Sequence, residues 1–525
     1  MAEESGVLDT KGVAHRKTVS NTSERFVAFS RRAAVPLLIL LHLALTIPLA
    51  YRLNIWLDEA FTLHTTGAGL RYAFQQATGF EMQAPLYFIL LGVWRKLNDS
   101  IFFARLFSVA CIALTIKVAA SLSRRFIEEI HPGWVAAAVA FNPFVIWAAL
   151  EIRLYAFALL LSALLLVLFH DGYLKETTQS KRARILYLFV CVLALYTQYY
   201  LGFQLVAHAC ALLALRRWRA LGSYLVGMLV VGLCFAPMMV VVYAHMTGHS
   251  QYGNNALPII EGFRFIARKF YLYLLPTGDI SHDIFKRWIL RLGLLVALIF
   301  IWKKGRTSLT TERLALLSIT TALSILFLIA VFLTDVRLLQ DRHTAALFLP
   351  TILLAFSLVA LAPKIAPPIW TLIIALFYAT TLYASHAPLA KNGDWQRVAS
   401  HVMAHEKPGQ PILVFRGRGA LTLSYYYTGQ NPIVPLPSEN RYDTLNLSEE
   451  VLRDEQQVAD AISRVPGSHD ELWVIMDGDP KRCVYEDLNY NCQILESYLE
   501  KHYAVEASQD FFRSRVRLLR RKSGP

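Results

Sequence analysis

"APLYFILLGVWRKLN", residues 84–98, is apolar enough to enter a bilayer but short for crossing one, because a helix needs about 20 apolar residues to span the hydrocarbon core. Its reading decides the topology of the whole chain. As a span, it would put Arg124-Arg125 outside and invert every later loop. As a helix lying flat on the outer face, ended by Arg95 and Lys96, it leaves every basic cluster on the side of the basic N-terminus. Those clusters are Arg124-Arg125, Lys181-Arg182-Arg184, Arg216-Arg217-Arg219, Lys303-Lys304-Arg306 and Lys364. That is the positive-inside pattern, so 84–98 reads as an interfacial helix.

Composition agrees with a chain dissolved mostly in lipid. Of its 525 residues 55% are hydrophobic and 17% charged, and the mean hydropathy is +0.41, too little charge for a soluble protein. A net charge of +14 could suggest nucleic acid, but the basic residues fall between apolar runs, so no nucleic-acid partner is expected. Residues 1–32 are polar and basic, too long and hydroxyl-rich for the start of a signal peptide, and no small-residue cleavage site follows. They read as a cytoplasmic tail. Apolar runs at 33–51, 101–122, 132–150, 154–171, 184–200, 202–215, 220–243, 286–303, 314–334, 345–362 and 367–387 give about eleven spans. An odd number keeps the N-terminus inside and puts the C-terminus outside.

Beyond residue 388 the composition changes. "DWQRVASHVMAHEKPGQPILVFRGRGALTLSYYYTG" reads as helix, Lys-Pro-Gly turn, short strand and helix; "ELWVIMDGD" at 471–479 is a second strand. "SYLEKHYAVEA" is a helix running into a third strand, and "SRVRLLRR" at 514–521 closes the chain. The expectation is therefore a mainly α, polytopic membrane protein: a transmembrane domain at 33–388 and a small α/β domain at 389–525, outside the membrane. Cys111, Cys191, Cys210 and Cys234 lie inside spans, whereas Cys483 and Cys492 lie in the polar region. In an oxidising compartment the latter pair makes a disulfide, contributing roughly 2–3 kcal/mol for so short a loop; in cytoplasm they would be idle thiols.

With this topology, charged groups from distant parts of the chain collect at the outer face. "NIWLDEAFT" at 54–62 places Asp58 and Glu59 where hydrocarbon gives way to water. The same outer loop carries Glu81 and Gln83. "EIRLYA" at 151–156 adds Glu151, Arg153 and Tyr155, and "YTQYY" at 196–200 adds Gln198, Tyr199 and Tyr200. A long outer loop, 244–285, carries Tyr252, Arg268, Lys269, Asp279 and His282; "DVRLLQDRHTA" at 335–345 brings Asp335, Arg337, Asp341, Arg342 and His343. Each has a plain alternative: arginines snorkel to headgroups, tyrosines form the aromatic belt, and histidines sit at the interface. Collected, they suit one chemistry. No phosphate loop, dinucleotide turn or Ser elbow is present. A sugar esterified to a lipid phosphate needs none of these. Its leaving group is a stable phosphate anion that only cations must hold, and the acceptor hydroxyl needs a carboxylate base.

"WLDEAFT", "EMQAPLYFILLGVW", "RLYAFALLLSALLL", "YTQYY" and "DRHTAALFLP" resemble the GT-C membrane glycosyltransferases that use polyprenyl-phosphate sugars. The bacterial members they look most like are akin to protein O-mannosyltransferases, lipid A aminoarabinose transferases and rhizobial galacturonosyltransferases. The resemblance runs over roughly 33–390, and the α/β tail is also similar to that of bacterial members. It implies an inverting direct displacement with Asp58 as catalytic base and Glu59 as its acidic neighbour. It also implies that Arg153, Tyr155 and Arg342 face the lipid phosphate. Two departures stand out. Gln83-Ala84-Pro85-Leu86 lacks the first of the family's two prolines, and "DRH" stands where relatives have "PRY".

The expected protein is thus a multi-pass enzyme of the bacterial inner membrane, with its C-terminal domain periplasmic. Asp58 would deprotonate the acceptor. Glu59, Glu81, Gln83, Arg153, Tyr155, Tyr199, Tyr200, Arg342 and His343 would bind the substrates, and Cys483 and Cys492 would pair. The donor is a lipid-linked sugar; a glycan, lipid or protein hydroxyl accepts. A divalent metal, Mg or Mn, on the carboxylates stays open. Two other classes would also use a polytopic chain. A flippase of lipid-linked sugars would need polar groups near the bilayer midplane, where Lys117 is the main charge. An envelope scaffold would depend on 389–525 alone.

Overall fold

The computed structural model describes residues 33–175, 180–248, 259–274, 310–333, 341–361, 366–386, 388–439, 442, 447–465, 469–477, 483–485 and 488–522, with isolated positions between 288 and 299. The first helix, α1 (Ala33–Arg52), is followed by three short ones, α2 (Leu57–Thr65), α3 (Leu70–Thr78) and α4 (Leu86–Arg95). The chain then returns as α5 (Ile101–Phe126), makes the bent pair α6 (Pro132–Ala140) and α7 (Pro143–Ala149), and continues into α8 (Tyr155–Phe169). Further helices span Lys181–Leu195, Leu201–Ala214, Trp218–Gly248, Ile259–Leu274, Thr311–Leu333, Ala345–Val359 and Ala366–His386. Each predicted apolar run except 286–303, which lies mostly outside the described residues, coincides with a helix.

By length and apolarity, six helices among the described residues can cross a membrane, or seven if the bent pair is one span. The protein is multi-pass. The predicted runs at 184–200, 202–215 and 367–387 are helical as well, but they fall short of those six in length or apolarity. The segment expected to lie at the interface is the ten-residue α4. It buries Tyr87, Phe88 and Leu91 and docks at its start, where the Leu86 N–H donates to the Tyr196 carbonyl at 2.9 Å.

Local chemistry explains the breaks. Ser100 caps α5 by accepting from the Phe103 N–H, and Arg124 and Arg125 close its last turn, where a cation complements the helix dipole. Arg125 also reaches Asp171, at the far end of α8, at 2.7 Å. The 60° bend between α6 and α7 falls at Asn142-Pro143. Proline has no N–H to continue a helix, and Asn142 compensates. Its side chain accepts from the Phe144 N–H at 3.0 Å and donates to the Tyr273 carbonyl and Tyr378 hydroxyl at 2.9 and 2.8 Å.

The long outer loop expected at 244–285 contains a 16-residue helix, Ile259–Leu274. Lys269, expected on the outer surface, is buried there with its ammonium 4.2 Å from the Phe265 ring centre, a cation placed over an aromatic face. Tyr252, Asp279, His282, Asp335 and Arg337 lie outside the described residues. Lys117 is exposed on the outside of α5.

The C-terminal region is a five-stranded mixed sheet in the order β2-β1-β3-β7-β6, with the helix Trp395–His405 packed against it. Its strands are β1 (Ile412–Phe415), β2 (Ile433–Leu436), β3 (Glu471–Asp477), β6 (Tyr503–Phe511) and β7 (Ser514–Arg521), while β4 (Val484–Tyr485) and β5 (Leu488–Asn489) form a separate ribbon. β1 runs parallel to β2 and β3, and β7 is antiparallel to β3 and β6. Trp395, Val414, Trp473 and Ile475 are buried together on one face. Cys483 and Cys492 are joined as a disulfide with their Cα atoms 5.7 Å apart. Replacing both by serine is expected to lower the stability of this region by about 2–3 kcal/mol. The check is the thermal midpoint: reductant should lower it in the parent and leave it unchanged in the variant.

Candidate active site

Trp56 precedes α2, so Asp58 and Glu59 both fall in its first turn, where acidic side chains complement the helix dipole. Consecutive helix residues diverge by about 100°, and the two carboxylates therefore meet different surroundings. Glu59 turns inward and is wholly buried. Its Oε1 accepts from Lys391 Nζ at 2.8 Å and the Ile152 N–H at 2.9 Å. Its Oε2 accepts from Arg105 at 3.2 Å and the Trp56 N–H at 3.3 Å. Arg105, also wholly buried, donates to the carbonyls of Ala50, Leu53 and Asn54 at the end of α1, groups that a helix terminus leaves without partners.

A second acid shares this chamber. Glu151 lies 3.0 Å from Lys391 and accepts the Trp56 indole N–H at 2.7 Å. Burial acts to raise both carboxyls. At Glu59 the charges of Arg105 and Lys391 outweigh it and hold the group below the usual carboxylate range. At Glu151 burial, reinforced by the charge on Glu59, wins over Lys391 and Trp56 and leaves the group above its ordinary value of 4.5.

In front of this chamber lies a more open layer. The Asp58 side chain is 21% exposed, and its Oδ2 accepts from Arg342 at 2.6 Å; the Arg342 side chain is 24% exposed. Arg153 donates to Glu81 Oε2 at 2.7 Å, Thr62 Oγ1 at 2.8 Å and the Asp58 carbonyl at 3.2 Å. Glu81 is nearly enclosed and also accepts from Thr65 at 3.3 Å. Burial raises its carboxyl despite Arg153. Tyr155 opens α8, stacks on Trp147 with ring centres 5.0 Å apart, and lies within electrostatic reach of Arg153, Arg342 and Asp58.

The other expected site residues are placed as follows. Tyr200 stacks on His343 at 5.0 Å, and Tyr199 meets the edge of Phe235 at 6.1 Å with its hydroxyl buried. Gln83 is half-buried just before α4, its N–H donating to the Ala77 carbonyl. The structure thus brings Asp58, Glu81, Arg153, Tyr155 and Arg342 together. Glu59, expected to touch substrate, is instead behind them, with its carboxylate fully engaged by protein.

Sequence reading overlooked Arg105 and Lys391. A lone arginine one turn inside an apolar helix, "IFFARLFSVA", carries its own signal, because such a group survives in a membrane only with a partner. Lys391 stands in the turn "KNGDW" and carries no comparable mark.

No family model and no curated protein matches the chain. Among solved structures it is similar to ArnT from Cupriavidus metallidurans in the apo state, at 13% identity and TM-score 0.42, over 91% of this chain and 97% of that one. It is similar to the same protein bound to undecaprenyl phosphate, at 12% identity and TM-score 0.39, over 94% and 97%. An Archaeoglobus fulgidus oligosaccharyltransferase tethered to an acceptor peptide matches at 11% identity and TM-score 0.43, over 89% and 72%. Likeness at these scores supplies no argument about chemistry, which rests on the residues above.

The donor set does not converge on a cation. Asp58 faces Arg342, Glu59 faces Arg105 and Lys391, and Glu81 faces Arg153. Among the described residues no group of three or more His, Cys, Asp and Glu is arranged around one point.

Two tests follow from the chamber. Arg105→Met leaves Glu59 buried opposite Lys391 alone and is expected to cost about 3–5 kcal/mol, whereas Arg342→Met, at the more open pair, should cost about 1 kcal/mol or less. Thermal unfolding of the two purified variants checks the ranking. Acid adds a second test. Glu59, held low, contributes stability that is lost as pH falls through its folded value. Glu151, held high, takes up a proton in the folded state between its raised value and the unfolded 4.5, which adds stability as pH falls through that window, above the one in which Glu59 loses it. Glu151→Gln should therefore lack the gain in stability that the parent shows as pH falls toward 4.5, read from thermal midpoints across that window.

Proposed function

We propose that the chain is an integral membrane glycosyltransferase that moves a sugar, with inversion, from a polyprenyl-phosphate donor to an acceptor hydroxyl at the outer end of the helix bundle. What carries the reading is the 2.6 Å contact of Asp58 with Arg342, with Arg153 alongside. A carboxylate open enough to meet an acceptor lies among guanidinium groups able to hold a phosphate. The donor arrives dissolved in the bilayer, so no nucleotide-binding fold is required. Its leaving group is a phosphate monoester with a second pKa of about 6, which needs cations rather than a general acid, and planar Arg forks suit it.

In the proposed step, phosphate draws Arg342 away from Asp58. The freed carboxylate takes the proton of the acceptor hydroxyl. The acceptor oxygen bonds to the anomeric carbon as the carbon–oxygen bond to phosphate breaks, and the polyprenyl phosphate leaves with the electron pair. A positioned base contributes typically 10²–10⁴-fold, and the rest of the barrier falls to positioning and charge stabilisation. Glu81 orients Arg153. We assign Gln83, Tyr155, Tyr199, Tyr200 and His343 to the walls of the donor and acceptor sites, and Glu59 to the support behind the base.

The proposed setting is the bacterial inner membrane, with residues 1–32 cytoplasmic, 33–388 catalytic and 389–525 periplasmic. Asp58→Asn should abolish transfer while the protein still folds and inserts, as read by mass spectrometry of envelope glycans and polyprenyl phosphates with and without the variant. Transfer that survives this change removes Asp58 from the mechanism. Arg342→Gln removes a charge-assisted hydrogen bond contributing about 1.5–3 kcal/mol, and should weaken undecaprenyl phosphate binding roughly tenfold to hundredfold.

A further inference from the structure

We infer that Lys391, at the start of the C-terminal region, is a positioning residue for the Asp58 base; this rests on the function proposed above. Lys391 follows the last apolar helix, which ends at His386, yet its ammonium enters the chamber behind Asp58. An ammonium has three hydrogens to donate, and here three acceptors lie within reach: Glu59 Oε1 at 2.8 Å, Glu151 Oε1 at 3.0 Å and the Leu150 carbonyl at 2.7 Å. Its side chain is 11% exposed, and those of Glu59 and Glu151 at most 2%. Water therefore cannot readily replace these contacts.

The turn that delivers Lys391 is itself fixed to the catalytic loop. The Lys391 N–H donates to Asn54 Oδ1 at 2.9 Å, and Asn54 Nδ2 donates to the Gly393 carbonyl at 2.8 Å. The Ile55 N–H donates to the Tyr426 hydroxyl at 2.6 Å. Gly393 has a φ of +89°, and a Cβ there would come within 2.7 Å of the Trp395 indole nitrogen, so only glycine fits the turn. Residues 54–59 are thereby held from the C-terminal side at Asn54, Ile55 and Glu59.

Glu59 and Asp58 share one helical turn, so fixing the Glu59 carboxylate fixes the rotation of that turn and the direction in which Asp58 leaves it. From the opposite side Arg153 grips the Asp58 carbonyl. The base is therefore aimed by two cations, one from within the bundle and one supplied by the region beyond it. Loss of the second should leave the donor phosphate site intact and misdirect the carboxylate.

The test uses the full chain in membranes and three readouts: folded amount by thermal unfolding, affinity for undecaprenyl phosphate, and glycan product per folded molecule by mass spectrometry. Lys391→Met should lower product per folded molecule by on the order of a hundredfold, the scale of a misplaced reacting group, with the lipid-phosphate Kd held within roughly threefold. Lys391→Arg, which can keep the link to Glu59, should recover much of the loss. Should Lys391→Met fail to fold, the double variant Lys391→Met/Glu151→Gln decides, because it removes one buried charge of each sign. It should fold and still turn over slowly. If the double variant works at the parental rate per folded molecule, Lys391 only balances charge and the inference is overturned. Asp58→Asn runs alongside. An active Asp58→Asn removes the proposed function itself, whereas an inactive Asp58→Asn beside a fully active Lys391→Met removes this inference alone.

Discussion

A buried carboxylate cannot stand without cations, and the requirements of Glu59 organise one end of this molecule. Taking an ion out of water costs several kcal/mol even after relaxation, and the protein meets that cost with Arg105 from α5, Lys391 from beyond the last helix and backbone N–H groups at Trp56 and Ile152. Four segments far apart in sequence must therefore arrive together before any of them can be buried. Arg105 in turn occupies the carbonyls at the end of α1, so the same ion cluster closes the first helix and starts the second.

That constraint separates two neighbouring acids into two roles. The helical twist points Glu59 into the protein and Asp58 toward the opening, where it shares Arg342. A carboxylate with part of its surface open can exchange its partner for a substrate; one enclosed by two cations and two amides cannot. The chemistry assigned to Asp58 thus depends on Glu59 being unavailable for it. Glu81 has an intermediate place, nearly enclosed, with one oxygen on Arg153 and the other on Thr65, which suits orientation better than proton abstraction.

The architecture was largely legible in one dimension. Apolar runs mark the helices because the bilayer imposes their length and character. Of the C-terminal elements, the strands at 412–415, 471–477 and 514–521 showed as short apolar or alternating runs. β2 did not, because Pro435 interrupts it; at the sheet edge its missing N–H is tolerated. The helix Glu455–Ser463 was also missed, its weakly apolar pattern sitting in a strongly polar stretch.

The sequence by itself determined that the chain is a polytopic helical protein with a small α/β region, and that Asp58, Glu81, Arg153 and Arg342 gather at one end of it. Hydrophobic periodicity and charge asymmetry are local properties, and the bilayer reads them locally. Which acid stays partly open and which is sealed behind it was decided only by the tertiary structure. The side a helical residue presents depends on what packs against it, and Arg105 and Lys391 reach Glu59 across 46 and 332 residues of chain.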